Sequence, residues 1–384
     1  MEVTYGRAQK GDEIELIDFL NLIFSCAHCP HDFEKLLPKL YDRSNLKLEE
    51  HYVVKEDGRI RACVGAYTQK IHVGGETLLT RNIGGVSVHK DANRRGYMRK
   101  LMAMALEDMK ADGVDASLLG GLRHRYQYFG YEKLGHQFSA HVTTTNIRHF
   151  LGEGFDSPYM IRPLCRDDEA AMAAVRALHD AQAIHGEREA FYDTLCSWKS
   201  TPYIVLRDGE ICGYFCVAPN KDRFTELVLQ QPEEIAPVLA AWFRESGTQS
   251  IGIGVEAHEQ TLLHAVYKLC EGYQMGSPEQ CRVFRFERTV RAFLQLKATY
   301  APLADGELTL AIDNGERIRI AVENGKPVVE ALAADAPCML SLTEMEAQSL
   351  LFAPVGFLTT LQPIPDAVRT WLPLPIGIAN ADSV

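Results

Sequence analysis

No stretch of the 384 residues approaches the roughly 20 consecutive apolar residues that a membrane-spanning helix needs, and Met1-Glu2-Val3-Thr4 opens folded-looking sequence without a signal peptide. Both absences point to a cytoplasmic chain. A surplus of positive charge is lacking too: 51 acidic residues face 40 basic ones, for a formal charge of -11. Phosphate binding wants a positive face, so the balance argues against general nucleic-acid affinity unless one face is strongly basic, and a cationic small molecule or peptide amine suits the field better. The ten cysteines show no disulfide-framework spacing, and in a reducing compartment most are expected as buried small apolar residues. Cys26-Ala27-His28-Cys29, with His31 beside it, lacks the second CxxC or His pair of a zinc site and the context of a redox site, so no metal is expected.

What is present is ordinary globular material, 46% hydrophobic and 24% charged, long enough for two or three domains. The chain also repeats itself. Tyr5–Phe24 and Met160–Ala181 each carry an arginine, an acidic pair and then helical apolar periodicity. Each is followed by strand, Asp-Gly turn and strand, with the turns at Asp57-Gly58 and Asp208-Gly209. Two matches in the same order point to an internal duplication. From about Arg285 the pattern changes to a helix ("FERTVRAFLQL"), strands broken by Asn314-Gly315 and Asn324-Gly325, and another helix ("TEMEAQSLLF"). Pro373 and Pro375 forbid a helix in the tail, which is expected to lie extended. The expectation is three domains, 1–150, 151–284 and 285–384, of mixed α/β (α+β) class.

One short stretch stands apart from the acidic background. In "HKDANRRGYMRKLM", Arg94, Arg95, Arg99 and Lys100 gather around Gly96 at a strand-to-helix joint, with the helix predicted from Tyr97 to about Ala111 and stopped near Gly113. A helix N-terminus offers unpaired N–H groups and partial positive charge, and a glycine lets phosphate come close. Basic residues are disfavoured there by the helix dipole unless an anion compensates. The cluster fits a pyrophosphate, although a solvated basic face would read the same way. The second copy has no such cluster.

The run "GGVSVHKDANRRGYMRKLM", then helix, strand and "RYQYFGYE", resembles the acetyl-CoA motif of GNAT N-acetyltransferases. More closely it resembles the Eis-like (enhanced intracellular survival) branch, in which tandem GNAT-type mixed-sheet domains precede a sterol-carrier-protein-like α/β domain. The order of elements is similar over essentially the whole chain. The family's Arg/Gln-x-x-Gly-x-Gly/Ala loop is matched in part, since Asn93-Arg94-Arg95-Gly96-Tyr97-Met98 lacks the first Arg or Gln and the last small residue.

The resemblance implies acetyl-CoA as cosubstrate, held by backbone groups of Val86 and Val88 along its pantetheine arm and by Arg94, Arg95, Gly96, Tyr97, Met98 and Arg99 at its pyrophosphate. It implies Tyr126 as general acid, a phenol that stays protonated at neutral pH. The alternative is that Tyr126, Tyr128, Phe129 and Tyr131 are all core aromatics packing the last strands, the reading preferred for Phe129 and Tyr131. Thr80–Val88 holds no carboxylate, and the resemblance assigns the base to the C-terminal carboxylate, here on Val384. His89 is a rival base. The implied acceptor is an aminoglycoside-like, polyamine or lysine amine entering an acidic cleft, for which Asp32 and Glu34 are candidates, and the implied assembly is a homo-oligomer. The competing reading is a non-catalytic CoA- or lipid-binding scaffold or sensor.

Overall fold

The computed structural model describes residues 2–27, 29–277, 279–377 and 380–384. The first part of the chain supplies β1 (Val3–Arg7), β2 (His51–Glu56), β3 (Arg59–Val73), β4 (Glu76–Val88), β5 (Ala116–Leu119), β6 (Glu132–Leu134) and β7 (Gln137–Thr143). The middle supplies β8 (Tyr159–Pro163), β9 (Ile184–Gly186), β10 (Thr201–Arg207), β11 (Glu210–Val217), β12 (Phe224–Leu229), β13 (Ser250–Glu256), β14 (Tyr273–Gly276) and β15 (Glu279–Val283).

The first sheet runs β1-β2-β3-β4-β5-β15-β6, and the second unit runs β8-β10-β11-β12 and then β13-β7-β14, joined by a parallel bridge from Arg223 to Gly252. The two orders coincide, so the duplication read from the two hairpins is visible in the topology. In each unit four antiparallel strands precede a parallel fifth, and the next strand is borrowed. Strand β15 from the middle of the chain lies between β5 and β6, while β7 from the first part lies between β13 and β14. A cut at 150/151 is therefore crossed in both directions. Each unit completes the other's sheet, because a strand removed from either place leaves two ladders of backbone donors and acceptors unpaired.

Local chemistry explains the hairpins. Asp57 (φ 46°) and Gly58 (φ 78°), Asp208 (φ 53°) and Gly209 (φ 88°), and Asn324 (φ 53°) and Gly325 (φ 73°) are left-handed at both turn positions, whereas at the remaining turn only Gly315 is. The helix Tyr97–Ala111 buries Tyr97, Leu101, Met102, Ala105, Leu106 and Met109 against the first sheet and ends before Gly113 (φ 69°), as the periodicity predicts.

The third part forms a sheet of β16 (Gly306–Ile312), β17 (Arg317–Glu323), β18 (Lys326–Ala331) and β19 (Leu340–Leu342), in the order β18-β17-β16-β19. Its helices Phe286–Ala298 and Glu344–Phe352 do not close a private core. Phe286, Phe293, Leu351 and Trp371 share one apolar cluster with Val73, Leu78, Leu118 and Cys281 of the first sheet. After Trp371 no regular element forms through Gly377, in keeping with the prolines, but Asn380–Asp382 closes a 3₁₀ turn rather than staying extended.

Two further expectations meet the structure here. Only Cys63, Cys216 and Cys281 are buried, and Cys26, Cys29 and Cys165 are exposed, so most cysteines are not core residues. His28 of the CxxC stretch lies outside the described residues, among which no three His, Cys, Asp or Glu side chains are placed so that they could hold a metal ion. Among the same residues no helix is long and apolar enough to cross a membrane.

Candidate active site

The site starts from a pair of glycines in a strand. Along β3 and β4 the register slips between Cys63↔Ser87 and Gly65↔Gly84, so Gly85 and Val86 together oppose Val64. Gly85 takes φ 59°, the left-handed conformation that a bulge of this kind needs. On its other side β4 pairs with β5 only from Thr80↔Ala116 to Ile83↔Leu119, after which β5 turns away and β4 runs on to Val88. The two parallel strands thus splay apart. The His89 amide bonds to Arg61 O, so by ladder alternation the main chain of Ser87 and His89 faces β3, and that of Val86 and Val88 faces the gap that β5 leaves.

Beyond the gap lies the basic loop. Lys90–Ala92 makes a 3₁₀ turn, Arg94 (φ 66°) and Gly96 (φ 78°) are left-handed, and Gly96 starts the helix with no side-chain cap. Alternating backbone handedness just before an uncapped helix turns consecutive N–H groups to one side, which is an anion-binding concavity. The side chains divide. Arg95 pairs with Glu56, and the Tyr97 hydroxyl donates to the same carboxylate (2.5 Å), so both side chains fold back on the end of β2 and only their backbone faces the loop. The Tyr97 hydroxyl, with Arg95, holds the Glu56 carboxyl below its usual range. Arg94, Arg99 and Lys100 remain exposed, with the Arg99 guanidinium 5.0 Å over the Tyr128 ring. Met98 packs against the core of the first unit.

Tyr126 sits on the short helix Arg123–Gln127 that follows the end of β5. Gly121 (φ 130°) lets that helix close in, because a Cβ there would come within 2.8 Å of the Tyr126 ring. Tyr126 is buried in the apolar cluster that Val86 and Val88 flank, and burial raises its pKa against the opposing pull of Arg125. Its neighbours have other work: the Tyr131 hydroxyl meets Ser117 Oγ (2.7 Å), and Tyr128 is exposed. His89 accepts from the Asp91 amide (3.3 Å) and so caps the 3₁₀ turn.

The chain's last residue reaches the bulge. The Val384 carboxyl carbon lies 3.0 Å from where a Cβ on Gly84 would stand, and the Tyr67 ring lies 3.2 Å from the same point. Behind it runs a buried hydrogen-bond chain. His51 Nδ1 donates to Lys47 O (3.0 Å), and burial lowers the pKa of the ring to about 4, so its Nε2 is an acceptor. Tyr67 then donates to Nε2 (3.2 Å) and receives from Tyr41 (2.5 Å). The cleft in front of Val384, about 360 Å³, is bordered by Glu50, Glu187, Glu189 and Asp382 and equally by Lys39, Lys47, Lys70 and Arg188, so it is mixed in charge rather than acidic as expected. Asp32 and Glu34 are not among its walls: Asp32 caps the helix Phe33–Leu36 and pairs with Lys35, and Glu34 faces Arg43. The glycine pair in "NIGGVSV" was the one sequence signal for this meeting point, since glycine inside a strand marks a bulge or a close approach.

Residues 4–134 match the family described as an acetyltransferase (GNAT) domain. The protein is an acyltransferase. The GNAT match spans the strands from β1 to β6 and so contains the bulge, the splay, the basic loop and Tyr126. Solved structures extend the likeness in fold to the whole chain. A probable N-acyltransferase from Enterococcus faecalis V583 is 15% identical with a TM-score of 0.69, covering 98% of this chain and 97% of that one. A GCN5-related N-acetyltransferase from Kribbella flavida is 17% identical with a TM-score of 0.67, covering 98% of each. Eis1 from Mycobacterium abscessus is 15% identical with a TM-score of 0.65, covering 99% of this chain and 98% of that one. No curated protein matches the sequence.

Proposed function

We propose that this GNAT protein transfers acetyl from acetyl-CoA to a primary amine of a cationic acceptor by direct attack, with Tyr126 as general acid and the Val384 carboxylate as general base. The observation that carries the reading is the Val384 carboxyl group against Gly84, at the mouth of the splay and in front of an open cleft. The pyrophosphate rests on the backbone N–H groups from Arg94 to Met98, with Arg94 and Arg99 adding charge, and the pantetheine arm pairs with the free ladder edge at Val86 and Val88. The ammonium group of the acceptor enters past Glu50, Glu187 and Glu189, exchanging with Lys70 and Lys47 as the partners of the last two, and gives a proton to the Val384 carboxylate. The amine nitrogen then bonds to the thioester carbon, the C–S bond breaks, and the Tyr126 phenol protonates the departing thiolate. The second proton that the nitrogen sheds as the amide forms restores the phenol, while the proton on Val384 leaves to solvent. Holding amine and thioester in one geometry supplies much of the rate. Residues 285–384, read as the sterol-carrier-protein-like part, serve to carry the tail to this place.

The test is thiol release from acetyl-CoA with a panel of aminoglycosides, polyamines and lysine peptides, using the whole chain and a chain ending before Ala379. Release with at least one amine, lost on truncation while acetyl-CoA still binds, is the expected result. Equal turnover by the truncated chain removes Val384 from the mechanism.

A further inference from the structure

The degenerate second unit has no basic loop, yet it supplies the most completely buried ion pairs in contact with the tail. Strand β9 clips the second unit onto the far end of β3, with Gly186 opposite Ile71. A Cβ on Gly186 would stand 2.3 Å from Gln69 Nε2 and 3.4 Å from Asp382 Oδ2, so a bare backbone is required where tail, clip and sheet converge. Two residues on, Arg188 turns inward. Its Nε and Nη2 donate to the two Asp382 oxygens (2.8 and 2.9 Å), while Nη1 and Nη2 donate to the two Glu226 oxygens (2.9 Å each). Glu226, on β12, is fixed in turn by the Tyr214 hydroxyl (2.5 Å). The side chains of Arg188, Glu226 and Asp382 are 1%, 6% and 4% exposed.

The first unit grips the same segment from the other side. Lys39 Nζ donates to Ala381 O (2.5 Å) and to Ser383 O (2.7 Å), the carbonyls that flank Asp382. Three consecutive tail residues are thus fixed one by one, immediately before Val384. Terminal residues usually fray, and a chain end that must present its own carboxylate cannot be anchored by burying that group. A doubly bidentate guanidinium solves the problem, because it fixes direction as well as position.

We propose that the second unit acts as a clamp for the tail, with Arg188, set by Glu226, as the positioning residue that holds Asp382 and thereby delivers the Val384 carboxyl group to Gly84. The clamp rests on the reading of Val384 as the base only for its effect on turnover, and the two claims separate experimentally. In Asp382→Asn, Arg188 keeps its pairing with Glu226, so the second unit stays intact. Three quantities are measured on the full chain: the rate at which a carboxypeptidase releases Val384, kcat and KM for acetyl-CoA, and Tm.

The expected result is Val384 release accelerated at least about tenfold and kcat reduced at least about tenfold, the order of loss that misplacing a proton-transfer group produces, with KM for acetyl-CoA and Tm close to native. Asp382→Glu, which keeps the charge, restores most of the protection. A tail that stays as protected as in the native chain, in both Asp382→Asn and Arg188→Lys, overturns the clamp and leaves the base assignment standing. Faster release of Val384 with unchanged kcat keeps the clamp and overturns the base. Should Asp382→Asn not fold, Arg188→Lys alone carries the same two readouts.

Discussion

The carboxyl carbon of Val384 lies 3.0 Å from the point at which a side chain on Gly84 would begin, so the tail touches β4 only because position 84 carries no Cβ. Ordinary carbon contacts are longer, near 3.5 to 4.0 Å at about optimal separation, and so an added methyl must push something aside. The Tyr67 ring, at 3.2 Å, is held by its hydroxyl between Tyr41 and His51, which leaves the tail as the part that yields. Gly84→Ala is expected to lower kcat about tenfold or more while leaving KM for acetyl-CoA near native, since a displacement of about 1 Å at a reacting group can cost up to about a hundredfold. Steady-state kinetics checks this, and an unchanged kcat separates Val384 from the reacting atoms.

Tyr126→Phe keeps the buried ring and removes one hydroxyl. On the proposed mechanism kcat falls by about 10²-fold or more, within the range for a lost general acid, and KM for acetyl-CoA changes little. The native kcat should also decline at alkaline pH above the usual tyrosine range, because burial raises the Tyr126 pKa, and this limb should be absent in the variant. A variant with native kcat removes Tyr126 from the chemistry.

The arginines of the basic loop should part company. Arg94→Ala and Arg99→Ala, both exposed at the anion concavity, are expected to raise KM for acetyl-CoA, and the native KM should climb with salt as these charges are screened. Arg95→Ala is expected to lower Tm and leave KM nearly unchanged, because its guanidinium serves Glu56. Equal KM effects for all three would place Arg95 in the binding site as well.

Lys39 gives the protein a pH signature. Burial lowers its pKa from 10.5 to about 7, with Asp382 and Glu226 opposing the shift and Arg188 adding to it. Between about pH 7 and 10.5 the unfolded chain then binds a proton that the folded chain does not, so this group's contribution to stability rises with pH across that window. The slope is at most about 1.4 kcal/mol per pH unit. Lys39→Met should abolish that part of the slope, so denaturant melts at pH 7 and pH 9 should show the native chain gaining on the variant. A constant difference would mean that Lys39 titrates alike in both states.

The sequence by itself determined what depends on neighbours in the chain. The helix Tyr97–Ala111, the glycine joint before it and the Asp-Gly turns follow from side-chain periodicity and from backbone angles that few residues adopt, and both act over a handful of positions. The repeat of helix, strand, Asp-Gly turn and strand in the two units followed from the same local signals met twice. Tertiary structure alone decided which polar groups meet. Arg95 reads as a phosphate ligand until Glu56, 39 residues away, takes its guanidinium, and nothing near Asp382 in sequence announces Arg188, 194 residues earlier. The exchange of β7 and β15 belongs to the same class, since an edge strand's sequence specifies a face to bury and leaves the partner open. A charge or a ladder edge is satisfied by whatever the folded chain brings within about 3 Å, and only the completed packing fixes that distance.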